Sequence, residues 1–285
     1  MSAVLMDGKE VSKKMRVDIR ADVDAFKAET GITPGLAVVI IGDDPASRVY
    51  VNNKKKRAGH CHMYSREYAL PEETTQEELV KLIDELNHDD EIHGILVQHP
   101  MPKHIDESII FRSISPAKDV DAFHPENVGR IMNGNFDFLP CTPAGVMALL
   151  DEYGIDPKGK ECVIVGRSNI VGKPQAMLLL HRHGTVTICH SRTKNLPEVT
   201  KRADILVVAI GKAKFITADM VKDGAVVIDV GVNPDSEGGL CGDVDFAEIE
   251  KKASFITPVP GGVGPMTITM LMKNTLTAAK RFAGK

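Results

Sequence analysis

Residues 161–174 read ECVIVGRSNIVGKP, a short apolar run that passes at once into a turn with two glycines. An apolar strand followed directly by such a turn and a helix is the setting in which a dinucleotide fingerprint is credible. Gly166 permits the tight turn, and Gly172 lets the helix begin close to the sheet. Pro174 suits the first helical turn, where a missing N–H costs nothing. The stretch therefore predicts a phosphate-binding loop, in which exposed N–H groups and the helix dipole hold a pyrophosphate.

The match to the usual glycine pattern is imperfect. Ser168 stands where the middle glycine is expected. A plain tight turn between strand and helix is the alternative interpretation, and the flanking elements favour the phosphate loop over it.

Apolar runs of strand length recur on both sides of this loop, and helical patterns separate them. One such pattern is an apolar stripe from Val11 to Phe26. Another begins at a capping box formed by Thr75 and Glu78. Buried strands that alternate with helices are typical of a parallel sheet covered on both faces. The predicted strands lie at 36–41, 94–97, 161–165, 185–189, 205–210 and 226–230, with further helices over 45–58 and 265–281.

Residues 114–140 interrupt this alternation. They are rich in Pro, Gly, Asn and Asp and show no clear period, which indicates a long functional loop or a crossing between domains. Because a domain has roughly 150 residues, the 285-residue chain is long enough for two. The sequence thus predicts an α/β protein with two domains.

Composition excludes several classes of function. A net charge of -4 argues against a nucleic-acid partner and against an anionic membrane surface, because both call for a basic protein. No apolar stretch is long enough to span a bilayer, and residues 1–11 lack the features of a secretory signal. The 5 cysteines show no metal-site spacing, so we expect no metal and a reducing compartment.

The end of the strand at 185–189 bears on the choice of cofactor. NAD enzymes usually place Asp or Glu about 20 residues beyond the loop to hold the ribose diol. Here the strand is followed by Ser191, Arg192 and Thr193, and Arg167 lies within the loop itself. Hydroxyl and guanidinium groups bind a 2′-phosphate, which a carboxylate would repel. The sequence therefore predicts NADP rather than NAD.

Polar residues of the first half could carry acid/base chemistry. Tyr50 and Lys54 are four residues apart and share a helix face, and Gln98 follows the strand at 94–97. Active groups of α/β sheets gather at such carboxyl ends. Taken singly, these residues have plainer interpretations. Lys54 could be a surface lysine and Tyr50 a packed tyrosine, and Asp119 and Asp121, in the irregular segment, could be loop or capping residues.

Several motifs in a fixed order cover nearly the whole chain and resemble the family of bifunctional methylenetetrahydrofolate dehydrogenases/methenyltetrahydrofolate cyclohydrolases. Several motifs in family order are far more specific than any one of them. These motifs are SRVYVNNKKK, GILVQHPMP, KDVDAFHPENVGR, PCTPAG, VIVGRSNIVGKP, VIDVGVN and PVPGGVGPMT.

The resemblance implies a role for each matched position. Lys54 would be the acid/base group of the hydrolytic step, Tyr50 would stack on the folate, and Gln98 would tune the charge of Lys54. Asp121 would bind the amino edge of the pterin ring. The remaining matched positions would line the cleft near both ligands (Pro260, Gly261 and Gly262) or contact the cofactor (Gly166, Arg167, Ser168, Ser191 and Val232).

The resemblance also implies the organisation of the protein. Residues 1–139, joined by the C-terminal helix 265–285, would bind tetrahydrofolate derivatives, and residues 140–264 would form a Rossmann-like, doubly wound NADP domain. The last helix would pack back on the first domain. The enzyme would be a cytoplasmic homodimer of one-carbon metabolism that serves purine, methionine and histidine biosynthesis. The chain departs from the family at His99, where Leu is common, and at Ala122, where Gly or Cys is common.

Two other functions remain open at this point. One is a monofunctional two-domain dehydrogenase for a hydroxy or keto acid, which would need a catalytic His or Lys–Asp pair beside the nicotinamide. The other is a non-catalytic protein that senses NADP or binds folate. Intact Tyr50, Lys54, Gln98 and Asp121 argue against a non-catalytic role.

Overall fold

The structure is a computed structural model, and it describes residues 2–235 and 238–284. The chain divides into two units. The large-sheet unit comprises the chain up to Lys13 together with Thr142–Thr267. The small-sheet unit comprises Lys14–Cys141 together with the chain from Ile268 on.

Helices and strands alternate along most of the chain. The strands are β1 (Val4–Leu5), β2 (Gly35–Ile41), β3 (Tyr64–Leu70), β4 (Gly94–Val97), β5 (Glu161–Val165), β6 (Thr185–Cys189), β7 (Ile205–Val208), β8 (Val226–Asp229), β9 (Asn233–Pro234), β10 (Leu240–Cys241) and β11 (Phe255–Ile256). The helices are α1 (Gly8–Thr30), α2 (Pro45–His60), α3 (Gln76–Asn87), α4 (Glu107–Ser113), α5 (Pro125–Asn133), α6 (Cys141–Glu152), α7 (Gly172–His181), α8 (Leu196–Thr200), α9 (Phe246–Ile249) and α10 (Val263–Phe282).

The large sheet has six strands in the order β1-β11-β8-β7-β5-β6, and every pairing in it is parallel. Strands β7 and β8 are buried at every position, which is why the sequence shows them as unbroken apolar runs. The strands predicted at 161–165 and 185–189 have those bounds in the structure. Branched apolar side chains fill the core, among them Val163, Val165, Leu206, Val208 and Val227.

Strand β1 joins the large sheet through parallel pairing with β11. The amino-terminal residues thus lie in the large-sheet unit, whereas the sequence groups them with the rest of 1–139. A two-residue strand has no periodic pattern, so its partner cannot be read from the sequence.

The small sheet has three parallel strands in the order β3-β2-β4. Central strand β2 is buried throughout, and helix α3 covers the sheet with Leu79, Ile83 and Leu86. The predicted capping box is present, because the side chains of Thr75 and Glu78 each accept the other residue's backbone N–H. Strand β3 was not predicted, since it is a half-exposed edge strand whose sequence YSREYAL mixes polar and apolar residues.

The segment predicted to be irregular, 114–140, is not a loop throughout, because it contains α5. His124 caps this helix, its side chain accepting the N–H of Glu126 at 3.0 Å, and Gly134 ends it in the left-handed conformation at φ 73°. A helix of nine residues is too short to show a clear period among so many turn-forming residues.

Helix α10 packs back on the small-sheet unit, as the predicted fold class requires. The Asn274 side-chain amide donates two hydrogen bonds of 2.8 Å, to the carbonyl oxygens of Val120 and Leu139. Near the end of the helix, the Phe282 ring meets His93 edge-on at 5.1 Å between centroids. Among the described residues no helix has both the length and the apolar character needed to cross a bilayer.

We predict that Asn274→Ala lowers the free energy of unfolding by about 1–3 kcal/mol, because it leaves two carbonyl oxygens without this donor. Urea denaturation measures the change. Thr277→Ala on the same helix is the matched control, since it removes only an exposed bond to Lys273 and should change stability by less than about 0.5 kcal/mol. Equal stability of the two variants would contradict this account of how α10 is held.

Candidate functional site

Helix α2 presents the first two candidate residues. Its N-cap is Asp44, whose side chain accepts the N–H of Ser47 at 2.7 Å, and a proline occupies the first turn. One turn further on lies Tyr50, which is 42% exposed, and Lys54 follows it on the same face. A large exposed aromatic next to a partly buried lysine is suited to stacking on a flat ligand.

Lys54 and Gln98 are in direct contact. The Lys54 ammonium donates to Oε1 of Gln98 at 2.8 Å. Gln98 directly follows β4 at the carboxyl edge of the small sheet, and its Nε2 donates to the carbonyl oxygen of His99. Because the amide nitrogen is engaged with His99, its oxygen points to the lysine.

Two opposing effects act on the Lys54 charge. Burial lowers the pKa of Lys54, while the negative charge of Asp121 opposes that shift. Cys141 is itself buried, and burial together with Asp121 raises the pKa of its thiol well above the usual range. The thiol therefore stays protonated, and the lysine is the group here whose proton is easier to remove than usual.

Asp119 holds the loop that carries Asp121. Its buried carboxylate accepts the backbone N–H of Phe123 at 3.2 Å and of His124 at 2.8 Å, and the side-chain N–H of Asn127 at 2.8 Å. Burial raises the pKa of Asp119 to about 6, which these donors oppose. Asp119 is thus a loop-holding residue, as its plainer interpretation proposed, and its partner Asn127 had no signal in the sequence.

The two departures from the family pattern lie beside these residues. The His99 ring contacts Phe111 and Phe123, with centroids 5.2 and 6.1 Å away, and its Nδ1 lies 3.1 Å from Glu107 Oε1. Ala122 is buried and adopts a positive φ of 58°, a conformation that glycine takes more readily. His99 directly follows Gln98 in the chain, and Ala122 directly follows Asp121.

The phosphate loop occupies the carboxyl end of β5, in the other unit. Gly166 has φ 134°, and a Cβ there would lie 2.3 Å from the carbonyl oxygen of Ala209. A Cβ on Gly172 would lie 2.3 Å from the carbonyl oxygen of Gly166, where α7 begins. Both glycines are therefore required by close backbone approach, as the sequence predicts.

Ser168 has a structural task that the sequence did not predict. Its hydroxyl accepts the N–H of Val171 at 3.1 Å and of Gly172 at 3.2 Å. The residue at the N-cap position, Val171, makes no side-chain cap of its own. The serine thus caps α7, so these two N–H groups are already paired instead of being exposed as predicted.

The predicted determinants of the cofactor lie at one edge of the large sheet. Strands β5 and β6 pair in parallel with Val165 opposite Cys189, so Arg167 and Ser191 each stand two residues beyond matched strand ends. Both side chains belong to exposed residues. Because neither 166–168 nor 190–193 contains a carboxylate, this edge offers hydroxyl and guanidinium donors without negative charge.

The remaining predicted positions are also in the large-sheet unit. Val232 follows β8 and is 46% exposed. Gly261 accepts the N–H of Lys9 at 3.1 Å, and a Cβ on Gly8 would lie 1.8 Å from the carbonyl oxygen of Gly262. The segment that includes Pro260 therefore packs tightly on the start of α1. In the described residues, no group of three or more His, Cys, Asp or Glu side chains could hold a metal ion.

Comparison with known proteins identifies the family. A model of the tetrahydrofolate dehydrogenase/cyclohydrolase catalytic domain matches residues 6–121, and a model of the NAD(P)-binding domain of the same family matches residues 140–283. The chain belongs to the tetrahydrofolate dehydrogenase/cyclohydrolase family. The predicted family, two-domain α/β fold and bifunctional enzyme class are thereby confirmed.

Individual relatives agree along their full length. The "Bifunctional protein FolD" of Acetivibrio thermocellus is 62% identical over 280 residues, covering 98% of each chain. The crystal structure of the bifunctional FolD enzyme from Campylobacter jejuni is 50% identical with a TM-score of 0.96, covering 98% of this chain and 99% of that one. A Trypanosoma brucei FolD structure, described as complexed with NADP cofactor and inhibitor, is 38% identical with a TM-score of 0.96 and full coverage of both chains.

We predict that Ser191→Asp raises the KM for NADP about tenfold or more, because a carboxylate at this edge repels a 2′-phosphate. Initial rates with NADP and with NAD measure the preference. Asn195→Asp adds the same charge at an exposed position four residues on, where the left-handed backbone at φ 51° suits Asp, and should leave the preference unchanged. A Ser191→Asp enzyme that kept its preference for NADP would contradict the assignment.

Proposed function

We propose that this protein oxidises 5,10-methylenetetrahydrofolate to 5,10-methenyltetrahydrofolate with NADP and then hydrolyses the product to 10-formyltetrahydrofolate. The observation that carries the proposal is the hydrogen bond from Lys54 to Gln98, which holds a lysine of lowered pKa next to Asp121. The chain's family includes cyclohydrolases, and a hydrolytic step benefits from a group that can take and return a proton.

NADP is the cofactor that the residues of the large-sheet unit fit. The exposed Arg167 and Ser191 supply donors for a 2′-phosphate. Gly166 and Gly172 have no side chains, and backbone atoms lie where a Cβ would be. The NADP complex of the Trypanosoma brucei relative agrees with this chemistry. When bound at these residues, NADP would supply the hydride acceptor of the oxidation.

The oxidation step needs no general base from the protein. The methylene carbon lies between two nitrogens of the folate, and the lone pair of one nitrogen forms a C=N bond as the hydride departs with its electron pair. No proton has to be removed, so the contribution of the chain is binding and orientation. We assign that work to Tyr50, which would stack on the folate, and to Asp121, which would bind the amino edge of its pterin ring.

The hydrolytic step needs a group that both takes and returns a proton. Neutral Lys54 would accept a proton from water as the water oxygen bonds to the methenyl carbon. The resulting ammonium would then protonate the departing nitrogen as the C–N bond breaks, and the remaining hydroxyl proton would pass to solvent, which leaves a formyl group and restores the neutral amine. Burial favours the neutral form that begins this cycle, and the Gln98 oxygen holds the amine in place in both protonation states.

Further assignments rest on the resemblance to the family. We assign folate binding to the small-sheet unit and cofactor binding to the large-sheet unit, with Ser168 and Val232 at the cofactor and Pro260, Gly261 and Gly262 beside both ligands. We also propose a cytoplasmic homodimer that supplies one-carbon units for purine, methionine and histidine biosynthesis. The net charge of -4 argues against nucleic acid and an anionic membrane surface as partners.

We predict that Lys54→Met lowers the cyclohydrolase rate by about a hundredfold or more, because the water and the leaving nitrogen lose their proton carrier. NADP reduction should remain measurable, since the oxidation needs no base. Decay of the methenyl absorbance and formation of NADPH report the two steps. Lys55→Met is the matched control, since Lys55 is an exposed neighbour whose nearest ion-pair partner is Glu67 at 3.7 Å. Retained cyclohydrolase activity in Lys54→Met would rule out this role for Lys54.

We predict that Asp121→Ala lowers both rates, because both steps use one bound folate. The expected loss is about tenfold or more in kcat/KM for the folate in each assay, since a charged hydrogen-bond partner is removed. Asp90→Ala, at an exposed position of the same unit, should alter neither rate. Loss of only one activity in Asp121→Ala would argue against shared use of the folate contact.

One spectrophotometric assay separates this proposal from its two rivals. NADP reduction with methylenetetrahydrofolate, followed by decay of the methenyl absorbance, is the expected result. A hydroxy-acid or keto-acid dehydrogenase would show neither signal with folate. A non-catalytic protein would bind both ligands without turnover.

A further inference from the structure

Two buried carboxylates of the large-sheet unit have no part in the proposed mechanism. Asp229 is the last residue of β8 and is 2% exposed, while Asp243 lies between β10 and α9 and is fully buried. A buried carboxylate is costly unless it is well hydrogen-bonded, so its partners show what it holds.

Asp243 binds two separate segments at once. Its carboxylate accepts the backbone N–H groups of Ile210 at 2.7 Å, Gly211 at 3.0 Å and Lys212 at 2.7 Å. These residues form the turn beyond β7. The same carboxylate accepts the side-chain N–H of buried Asn233, beyond β8, at 2.9 Å. One side chain therefore joins the carboxyl ends of two neighbouring strands.

Asp229 in turn fixes Asp243. Its carboxylate accepts the backbone N–H groups of Gly231, Asp243 and Val244, each at 3.0 Å. The two carboxylates thus form a continuous network, which we call the carboxylate clasp: Asp229, Asp243 and Asn233 with the backbone groups they bind.

The clasp is packed without spare room. A Cβ on Gly231 would lie 2.2 Å from Oδ1 of Asp243, and a Cβ on Gly242 would lie 1.8 Å from Oδ2 of Asp229. Each carboxylate therefore occupies the space that a side chain at one of these two glycine positions would need. Both glycines are needed for the carboxylates to reach the backbone.

The segments that the clasp holds border the predicted cofactor positions. Val232 lies between Gly231 and Asn233, which are both bonded to the clasp. The turn beyond β7 follows Ala209, whose carbonyl oxygen makes the close approach to Gly166 of the phosphate loop. The clasp thus reaches the proposed NADP site from two sides through backbone that it fixes directly.

We propose that Asp243, supported by Asp229 and Asn233, is a positioning residue for NADP, because it fixes the Val232 segment and the turn beside the phosphate loop. The proposal rests on the proposed dehydrogenase function. The four donors to Asp243 are amide N–H groups, and they bond to both of its carboxylate oxygens. These contacts therefore require a side chain that can accept hydrogen bonds at both positions. An asparagine of the same size would turn an NH₂ group toward N–H donors and break part of the clasp.

The test compares Asp243→Asn and Asn233→Ala with wild type in both assays. Asp243→Asn should raise the KM for NADP about tenfold or more, because hydrogen bonds to a charged acceptor are lost. Asn233→Ala, which keeps the backbone bonds of Asp243, should raise it by a smaller factor of about three to ten. Calorimetric titration with NADP should show the same order. Asp245→Asn is the matched control, because Asp245 is less buried and makes no side-chain cap bond.

The hydrolysis of methenyltetrahydrofolate reports on folding without using NADP. A loss of folded enzyme would lower both activities together. If the variants fold normally, the rate of hydrolysis should therefore stay within about twofold of wild type in both. An unchanged KM for NADP in Asp243→Asn would overturn the proposal. If Asp243→Asn lost both activities, the test would rest on Asn233→Ala. An unchanged KM for NADP in Asn233→Ala would then overturn the proposal. A wild-type enzyme without NADP reduction would instead contradict the proposed function.

Discussion

A parallel strand that is buried on both faces ends with backbone groups that must find partners away from bulk water. In this protein buried aspartates meet that requirement in both units. Asp119 binds two backbone N–H groups in the loop before α5, and Asp229 and Asp243 bind six, of which four follow β7 and β8 and two follow β10. Burial raises the pKa of Asp119 and of Asp229 to about 6, and the N–H donors of each oppose this. Residues with proposed functional roles stand directly beside these anchors, Asp121 two residues beyond Asp119 and Val232 next to Asn233.

The neutral amide of Gln98 is a suitable partner for a lysine that must give up and regain a proton. A carboxylate in its place would favour the ammonium and raise the pKa of Lys54, which burial otherwise lowers. Asp121 already opposes that lowering, so a second negative charge in contact with the amine would further disfavour the neutral form. The amide oxygen orients the amine without adding charge, and the bond from Gln98 to His99 keeps that oxygen in place.

The fold was predictable where apolar residues repeat, and not where the pattern is short or polar. Continuous runs such as that of β5 identified the buried strands, and the capping box at Thr75 identified the start of α3. Edge strand β3 and helix α5 were missed, because the first alternates imperfectly and the second is brief. The contact between Lys54 and Gln98 joins residues 44 positions apart, so only the resemblance to a family brought them together in advance. The role of Asp243 depends on bonds to distant segments, and that of Asn127 on side-chain bonds to Pro116 and Asp119 within an irregular stretch; neither follows a repeating sequence pattern.

Ser168 illustrates how a departure from the expected pattern can support the same function. A glycine at the middle position lets a pyrophosphate approach the backbone, but it leaves the start of the helix without a side-chain cap. Here the Ser168 hydroxyl supplies that cap, bonding two N–H groups at the point where Val171 cannot. These two bonds stabilise the loop through contacts within the chain, so a bound anion does not have to supply them. The two N–H groups that bond to Ser168 do not have to bind the anion. Exposed side chains such as Arg167 can recognise its charge instead.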